Sequence, residues 1–375
     1  MKGIYIHIPI CKQKCYYCDF VSFAKCGEII GQYIDALKKE IKNILKPQDK
    51  IDTIYIGGGT PSIIDSKYIK ELLQEIYNIV GYDEKREITI EINPGTLTKQ
   101  KIKDYKQAKI NRISLGLQTI NDKLLKDIGR IHTYAQFKEA YNLVKEEGFT
   151  NINIDLMLGL PNQTLQDLEE SLEEVINLNS THISVYSLIL EEGTKLDELV
   201  NKKLLELPSE DIERQMYWKT KEVLEQNGYN HYEISNFAKQ GYESKHNSNC
   251  WKQQEYYGFG LAAHSYINNM RYSNLEDLEE YIKHIENGDY NKVKEVNEIQ
   301  TKTSKCQEYM MLKLRTLQGV CIKEYKAKFQ ENPLYVYREQ LEELVKKELI
   351  EIDGDYIKLT NKGLDFANEV WEKFV

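Results

Sequence analysis

Strand-sized runs of β-branched residues alternate with helix-length amphipathic segments through the first two-thirds of the chain, and this rhythm constrains the fold more than any other feature. Residues 4–9, 53–59, 87–93, 112–118, 151–161 and 182–190 read as six strands, with helical periodicity over 31–46, 66–80, 98–108, 134–147 and 164–178. Such alternation argues for an α/β fold with a parallel sheet covered by helices. It does not decide between a barrel and an open, doubly wound sheet, because both produce the same order. A helix over about 209–226 and a strand over 231–237 follow, then an irregular stretch, 240–272, rich in Tyr, Asn, Gly and His. From about residue 300 the pattern becomes three helices and a hairpin turning at Asp353-Gly354, as in a small winged-helix-like module.

The chain has 375 residues, with 50 basic against 59 acidic side chains and a formal charge of −9, which argues against a chain-wide electrostatic grip on nucleic acid or anionic lipid and leaves room for a local basic groove. The C-terminal module also lacks a concentrated basic stripe, so no nucleic-acid role is expected of it. No run approaches the roughly 18 apolar residues of a membrane span, and the N-terminus lacks the apolar core of a secretory signal. A reducing cytoplasm is the expected compartment. The 7 cysteines are too sparse and uneven for a disulfide framework. Three of them, Cys11, Cys15 and Cys18, fall within eight residues, whereas Cys26, Cys250, Cys306 and Cys321 are scattered.

The C-x3-C-x2-C triplet directly follows the first strand. Structural zinc prefers four ligands, usually as two separated pairs, and a redox CxxC leaves Cys11 without a role. Three closely spaced thiolates suit a [4Fe–4S] cluster in which the fourth iron stays open to a non-protein ligand; chance cysteines in a loop are the bland alternative. Gly57-Gly58-Gly59-Thr60-Pro61 ends the second strand. Consecutive glycines let a ligand approach main-chain N–H groups, although a plain tight turn has the same composition, and neither a Walker motif nor GxGxxG spacing is present. Polar residues recur at the ends of later strands: Glu91 and Asn93, Gln118, Asp155 and Tyr186. In a barrel of parallel strands these ends converge on one ligand-binding face.

The strings YIHIPICKQKCYYCDF, GGGTPS, EINPGT, RISLGLQ and IDLMLGLP resemble the radical S-adenosylmethionine (SAM) superfamily, in its branch of oxygen-independent coproporphyrinogen oxidases and their relatives. The likeness runs on through LRTLQGV (314–320) and LTNKG (359–363). It implies a partial (β/α)6 barrel over residues 1–235, a connecting segment over 236–299 and a C-terminal helical, winged-helix-like domain over 300–375. It also implies that Cys11, Cys15 and Cys18 hold the cluster, and that Tyr5, Gly58, Gly59, Thr60, Glu91, Gln118, Arg130 and Asp155 contact SAM, with Tyr17 beside the adenine. Arg130 is one of only seven arginines among the 50 basic residues.

Within the branch, the coproporphyrinogen oxidases carry a fourth cysteine two residues after the third, where this chain has Phe20. They also have a longer arm ahead of the cluster motif, so the substrate-positioning elements of that arm are expected to be missing. Both departures resemble the HemW-type heme chaperones, which implies heme as a ligand, acceptor hemoproteins and an electron donor as partners. Members of that type carry HNxxYW. Here His246, Asn247 and Trp251 match, and Cys250 replaces the tyrosine. His246 and Cys250 are therefore the heme-site candidates, with His264 a second histidine and His7 expected to support the barrel end. The competing expectation is a coproporphyrinogen III dehydrogenase in which SAM cleavage yields a radical that attacks propionate side chains.

Overall fold

The computed structural model describes residues 1–24, 27 and 29–375; Cys26 lies outside the described residues. Six parallel strands, β1 (Lys2–Ile8), β2 (Ile51–Gly58), β3 (Glu87–Ile92), β4 (Arg112–Gln118), β5 (Asn151–Leu158) and β6 (His182–Ser187), lie side by side in chain order. A doubly wound sheet would reverse that order at a switch point, and no reversal occurs. The helices Ile30–Ile44, Ser66–Val80, Lys99–Gln107, Tyr134–Glu146 and Leu165–Asn177 connect them. Capping boxes at Thr133 and Thr164 fix where two of these helices start.

Alternation along each strand sorts the two faces. Ile4, Ile6 and Ile8, Ile54 and Ile56, Ile88 and Ile90, Ile113 and Leu115, and Ile152 and Ile154 join one hydrophobic cluster with Leu37, Ile41, Leu72 and Ile76 of the helices. The intervening residues, including Tyr5, Tyr55, Glu91, Ser114 and Asp155, face the other way and make the barrel interior polar.

The arc does not close. Beyond β6 the sheet continues through β7 (Asn230–Glu233) and β8 (Asn236–Ala238), with β8 pairing antiparallel to β6 and β7 outermost. Beyond β1 it continues through β9 (Tyr256–Phe259), β10 (His264–Ile267), β11 (Met270–Asn274) and β12 (Lys294–Ile299), so the strand order is β12-β11-β10-β9-β1-β2-β3-β4-β5-β6-β8-β7. Much of the irregular stretch 240–272 and of the segment 236–299 is thus built into the sheet. Its strand signal was hidden by short length and by turn residues such as Gly258, Asn268 and Asn269. Parallel pairing of β9 with β1, Tyr5 opposite Gly258, is what extends the sheet past its first strand.

Residues 306–374 have their own core, including Tyr309, Met310, Tyr325, Leu344 and Phe374. Three strands, β13 (Val320–Cys321), β14 (Ile350–Asp353) and β15 (Tyr356–Leu359), form its small antiparallel sheet in the order β13-β15-β14. The hairpin turn sits one residue later than Asp353-Gly354: Asp353 pairs with Tyr356, leaving Gly354-Asp355 as the loop. Gly354, at φ 57, supplies the positive φ needed at the first loop position.

Candidate radical SAM site and the barrel floor

Cys11, Cys15 and Cys18 lie on the loop leaving β1, which is pinned from both sides. Tyr16 N–H donates to the Ile128 carbonyl at 3.0 Å, and the Gln13 amide donates to the Gly129 carbonyl at 3.1 Å. On the return limb, His7 Nε2 bonds the Val21 carbonyl at 2.9 Å while its Nδ1 meets the Tyr5 hydroxyl at 2.9 Å. His7 therefore supports the barrel end, as expected, and it also ties down the loop that carries the thiols. A side chain on Gly58, at φ +112, would fall 2.7 Å from the His7 ring, so glycine is required there.

The loop covers a cavity of about 430 Å³ at the carboxyl ends of the strands. Its walls include all three cysteines together with Tyr17, Gly58, Gly59, Thr60, Glu91, Gln118, Arg130 and Asp155. Tyr5 is not among the lining residues, because its hydroxyl turns to His7. Asn93 and Tyr186, expected on this face from their strand-end positions, also line it, and Tyr55 and Ser114 are added to those walls. Asn93 bridges two of the expected residues, donating to Thr60 Oγ1 at 2.8 Å and accepting from Arg130 Nη2 at 2.9 Å. Tyr55 could have been found from its position two residues before Gly57 on the same face of β2. Gln118 sits at φ 70, where a register shift in the β4–β5 pairing turns the chain into the cavity.

The donor set fits a thiolate-held cluster. Thr60 Oγ1 donates to Cys11 Sγ at 3.6 Å, and Arg130 Nη1 donates to Cys15 Sγ at 3.6 Å, so two of the three sulfurs already receive hydrogen bonds suited to negative charge. A Cβ on Gly59 would stand 3.0 Å from Cys11 Sγ and 2.8 Å from the Ile10 carbonyl oxygen, closing the space beside the sulfur. Among the described residues no three His, Cys, Asp or Glu side chains gather tightly enough to hold a single metal ion. Three thiols bordering one cavity, two of them already hydrogen-bonded, suit a multi-iron cluster with one open iron.

Two carboxylates face the same space. Glu91 accepts from the Tyr55 hydroxyl at 2.8 Å and from the Gly58 N–H at 3.2 Å; burial, followed by the nearby Asp155 charge, pushes its pKa up to about 7. Asp155 accepts from Ser114 at 3.1 Å and from Asn153 at 2.7 Å, and burial raises its pKa as well. Because folded Glu91 holds its proton more tightly than the unfolded chain does, its contribution to stability is full below about pH 4.5 and is lost as the pH rises through about 7. Glu91→Gln is expected to flatten that fall in the ligand-free protein by at most ~3 kcal/mol, read from thermal midpoints across the interval.

His246 and Cys250 lie elsewhere. They belong to the helix Lys245–Trp251, which closes the opposite end of the barrel as a floor. His246 is 7% exposed, its Nδ1 bonds Thr53 Oγ1 at 2.9 Å, and its ring packs 5.2 Å from that of Tyr55 and against Gly3. Glu87 accepts from the backbone N–H groups of Lys245 and His246 at 3.1 and 3.0 Å, anchoring the start of the helix. Burial pushes the His246 pKa down to about 4 and the Cys250 thiol up to about 11. Trp251, the last residue of the motif, stacks under the guanidinium of Arg315 at 4.6 Å. His264 is exposed at the start of β10.

The Radical SAM superfamily model matches residues 5–175, and the HemN C-terminal domain model matches residues 300–366. A solved structure described as coproporphyrinogen III oxidase (HemN) from Escherichia coli, a radical SAM enzyme, aligns with a TM-score of 0.85 at 21% identity, covering 100% of this chain and 90% of that one. That likeness concerns the fold. Fold, cavity and cysteine loop together define a radical SAM protein, whose cofactors are a [4Fe–4S] cluster and SAM. The chain is 40% identical over 372 residues to the heme chaperone HemW of Lactococcus lactis subsp. lactis, spanning 99% of this chain and 96% of that protein. It is 37% identical over 378 residues to that of Bacillus subtilis (100% and 99%) and 33% identical over 376 residues to that of Escherichia coli (100% and 98%). It belongs to the HemW family of heme chaperones.

Proposed function

We propose that this chain is a heme chaperone that carries a [4Fe–4S] cluster on Cys11, Cys15 and Cys18, holds SAM in the adjoining cavity, and passes heme to acceptor hemoproteins. The observation that carries this reading is the similarity, 33–40% identity over essentially the whole chain, to proteins named for that role. Phe20 supports it. Where the oxidases have a fourth cysteine, this side chain stands 62% exposed at the cavity mouth and presents a ring in place of a thiol.

In this reading Glu91 and the Gly58–Thr60 turn receive the methionine part of SAM, Asp155 and Gln118 the ribose and amino donors, and Tyr17 packs beside the adenine. Tyr5 contributes indirectly, holding His7, which ties down the return limb of the cysteine loop. The cluster and SAM supply one-electron chemistry when bound, and an electron donor is the partner that would start it. Residues 1–235, 236–299 and 300–375 serve as the barrel, the heme-bearing connector and the C-terminal domain. Among the described residues no helix is long and apolar enough to cross a membrane, and transient encounters with acceptors in the cytoplasm fit that surface.

His246 and Cys250 are the heme ligands of this proposal, reached when the floor helix lifts from the barrel. Heme titration of the cluster-loaded protein is expected to give one heme per chain, with binding lost in His246→Ala while cluster absorbance stays. Normal heme binding by both His246→Ala and Cys250→Ala would place heme elsewhere. Sustained anaerobic conversion of coproporphyrinogen III with SAM and a reductant would replace the chaperone reading with an enzymatic one.

A further inference from the structure

Arg112 is a charged residue of the barrel interior that neither the cluster nor the cavity wall uses. On β4 it pairs with Thr89 of β3 and Asn151 of β5, and the alternation that turns Ser114 and Gly116 toward the cavity turns Arg112 the same way, one layer beneath. It is 2% exposed, and its buried Nε has no hydrogen-bond partner. Taking a guanidinium out of water carries a large desolvation penalty unless opposite charge compensates it. Arginine is also the one side chain that cannot shed its proton there.

The groups around it narrow the source of that compensation. Its charge reaches Tyr55 on β2, Glu91 on β3, Asp155 on β5 and His182 on β6. It also reaches Tyr232 on β7 and His246 on the floor helix. Tyr186, at the end of β6, faces Asp155 and Glu91 from above, as does Tyr5 of β1 for Glu91, and Arg130 faces Asp155 from the rim. Burial keeps both histidines neutral and the tyrosines protonated. Of the other buried carboxylates nearby, Glu87 is taken up by the N–H groups of the floor helix and Glu233 by Arg315, which leaves Glu91 and Asp155 to answer Arg112 with negative charge, and no hydrogen bond or ion pair joins either of them to it. Their hydrogen bonds come from Tyr55, Gly58, Ser114 and Asn153.

We propose that Arg112 is a positioning residue for SAM: from beneath the cavity it holds Glu91 and Asp155 as a pair of carboxylates, ready for the cationic groups and hydroxyls of the ligand. It acts by its field and touches no ligand atom. Two carboxylates in one low-dielectric space oppose each other's ionisation, and a fixed cation one layer below offsets that opposition while leaving their lone pairs free. The proposal rests on the SAM site and is independent of where heme binds.

The test is SAM affinity of the cluster-loaded protein, by equilibrium dialysis, from about pH 6.5 to about pH 9, for wild type, Arg112→Met, Arg112→Gln and Arg112→Lys. Both neutral variants are expected to bind SAM about tenfold more weakly near neutrality, with the pH of half-maximal binding raised by about one unit, so that the gap closes at the alkaline end. Arg112→Lys is expected to restore most of the affinity near neutrality. A loss that is uniform across the pH range, or no loss, overturns the proposal. If both neutral variants fail to load a cluster while Arg112→Lys loads one, Arg112 serves folding and the proposal is likewise overturned.

Discussion

Alanine at any one of Cys11, Cys15 or Cys18 is expected to abolish the visible absorbance of the reconstituted cluster and, with it, SAM binding at the open iron. In the proposed assignment each thiolate would hold one iron, so removing one would leave two protein ligands for four metal ions, too few to retain the cluster against exchange with solvent. The surroundings sharpen the expectation for Cys11 and Cys15. Thr60 and Arg130 donate to their sulfurs, and without the sulfur the Arg130 guanidinium keeps only Asn93 and the Gly116 carbonyl, at 2.9 and 2.7 Å. Serine at Cys250, Cys306 or Cys321 is expected to leave the absorbance intact, because none of them lines the cavity. An intact spectrum in Cys15→Ala would overturn the ligand assignment.

The second large effect is expected at Arg315, which bolts the C-terminal domain to the barrel floor. Glu233 on β7 is fully buried, and Arg315 Nε donates to its Oε2 at 3.0 Å. The same guanidinium lies between the rings of Trp251 and Trp371, at 4.6 and 5.7 Å. Arg315→Ala leaves a buried carboxylate with only the Ser235 N–H and the Asn236 amide, and breaking a buried pair from one side costs about 3–5 kcal/mol. A drop of that size in unfolding free energy, measured by denaturant titration, is the expected result. Arg315→Lys recovers part of it, because an ammonium keeps the charge but not the planar stacking. Glu233→Gln in the Arg315→Ala background should recover more than Glu233→Gln gains alone. A change within about 0.5 kcal/mol for Arg315→Ala would show that the contact is not structural.

What could be read from the chain before its structure follows the range of the interactions concerned. The six parallel strands and their helices are written in local periodicity, and the rim residues in their positions at strand ends, so the cavity assembled nearly as expected. Tyr5 was expected at the ligand, but its hydroxyl goes to His7, a partner two residues away that motif comparison does not weigh. Depth was the information missing for His246. The motif specifies an imidazole near a tryptophan, whereas its burial is set by Gly3, Thr53 and Tyr55, remote in the chain. The strands from β9 to β12 escaped notice for a related reason: β9 is held by parallel pairing with β1 rather than by an alternation of its own.

That pairing also orders events during synthesis. β1 leads the chain, yet one of its edges stays unpaired until Tyr256–Phe259 has been translated. At about 5–20 residues per second, the first strand and the cysteines behind it wait roughly 10–50 s on the ribosome before the partner strand exists. Completion of that edge is therefore a late event of biosynthesis, and a nascent chain arrested before β9 would leave β1 with one row of unpaired backbone groups, open to chaperones and proteases.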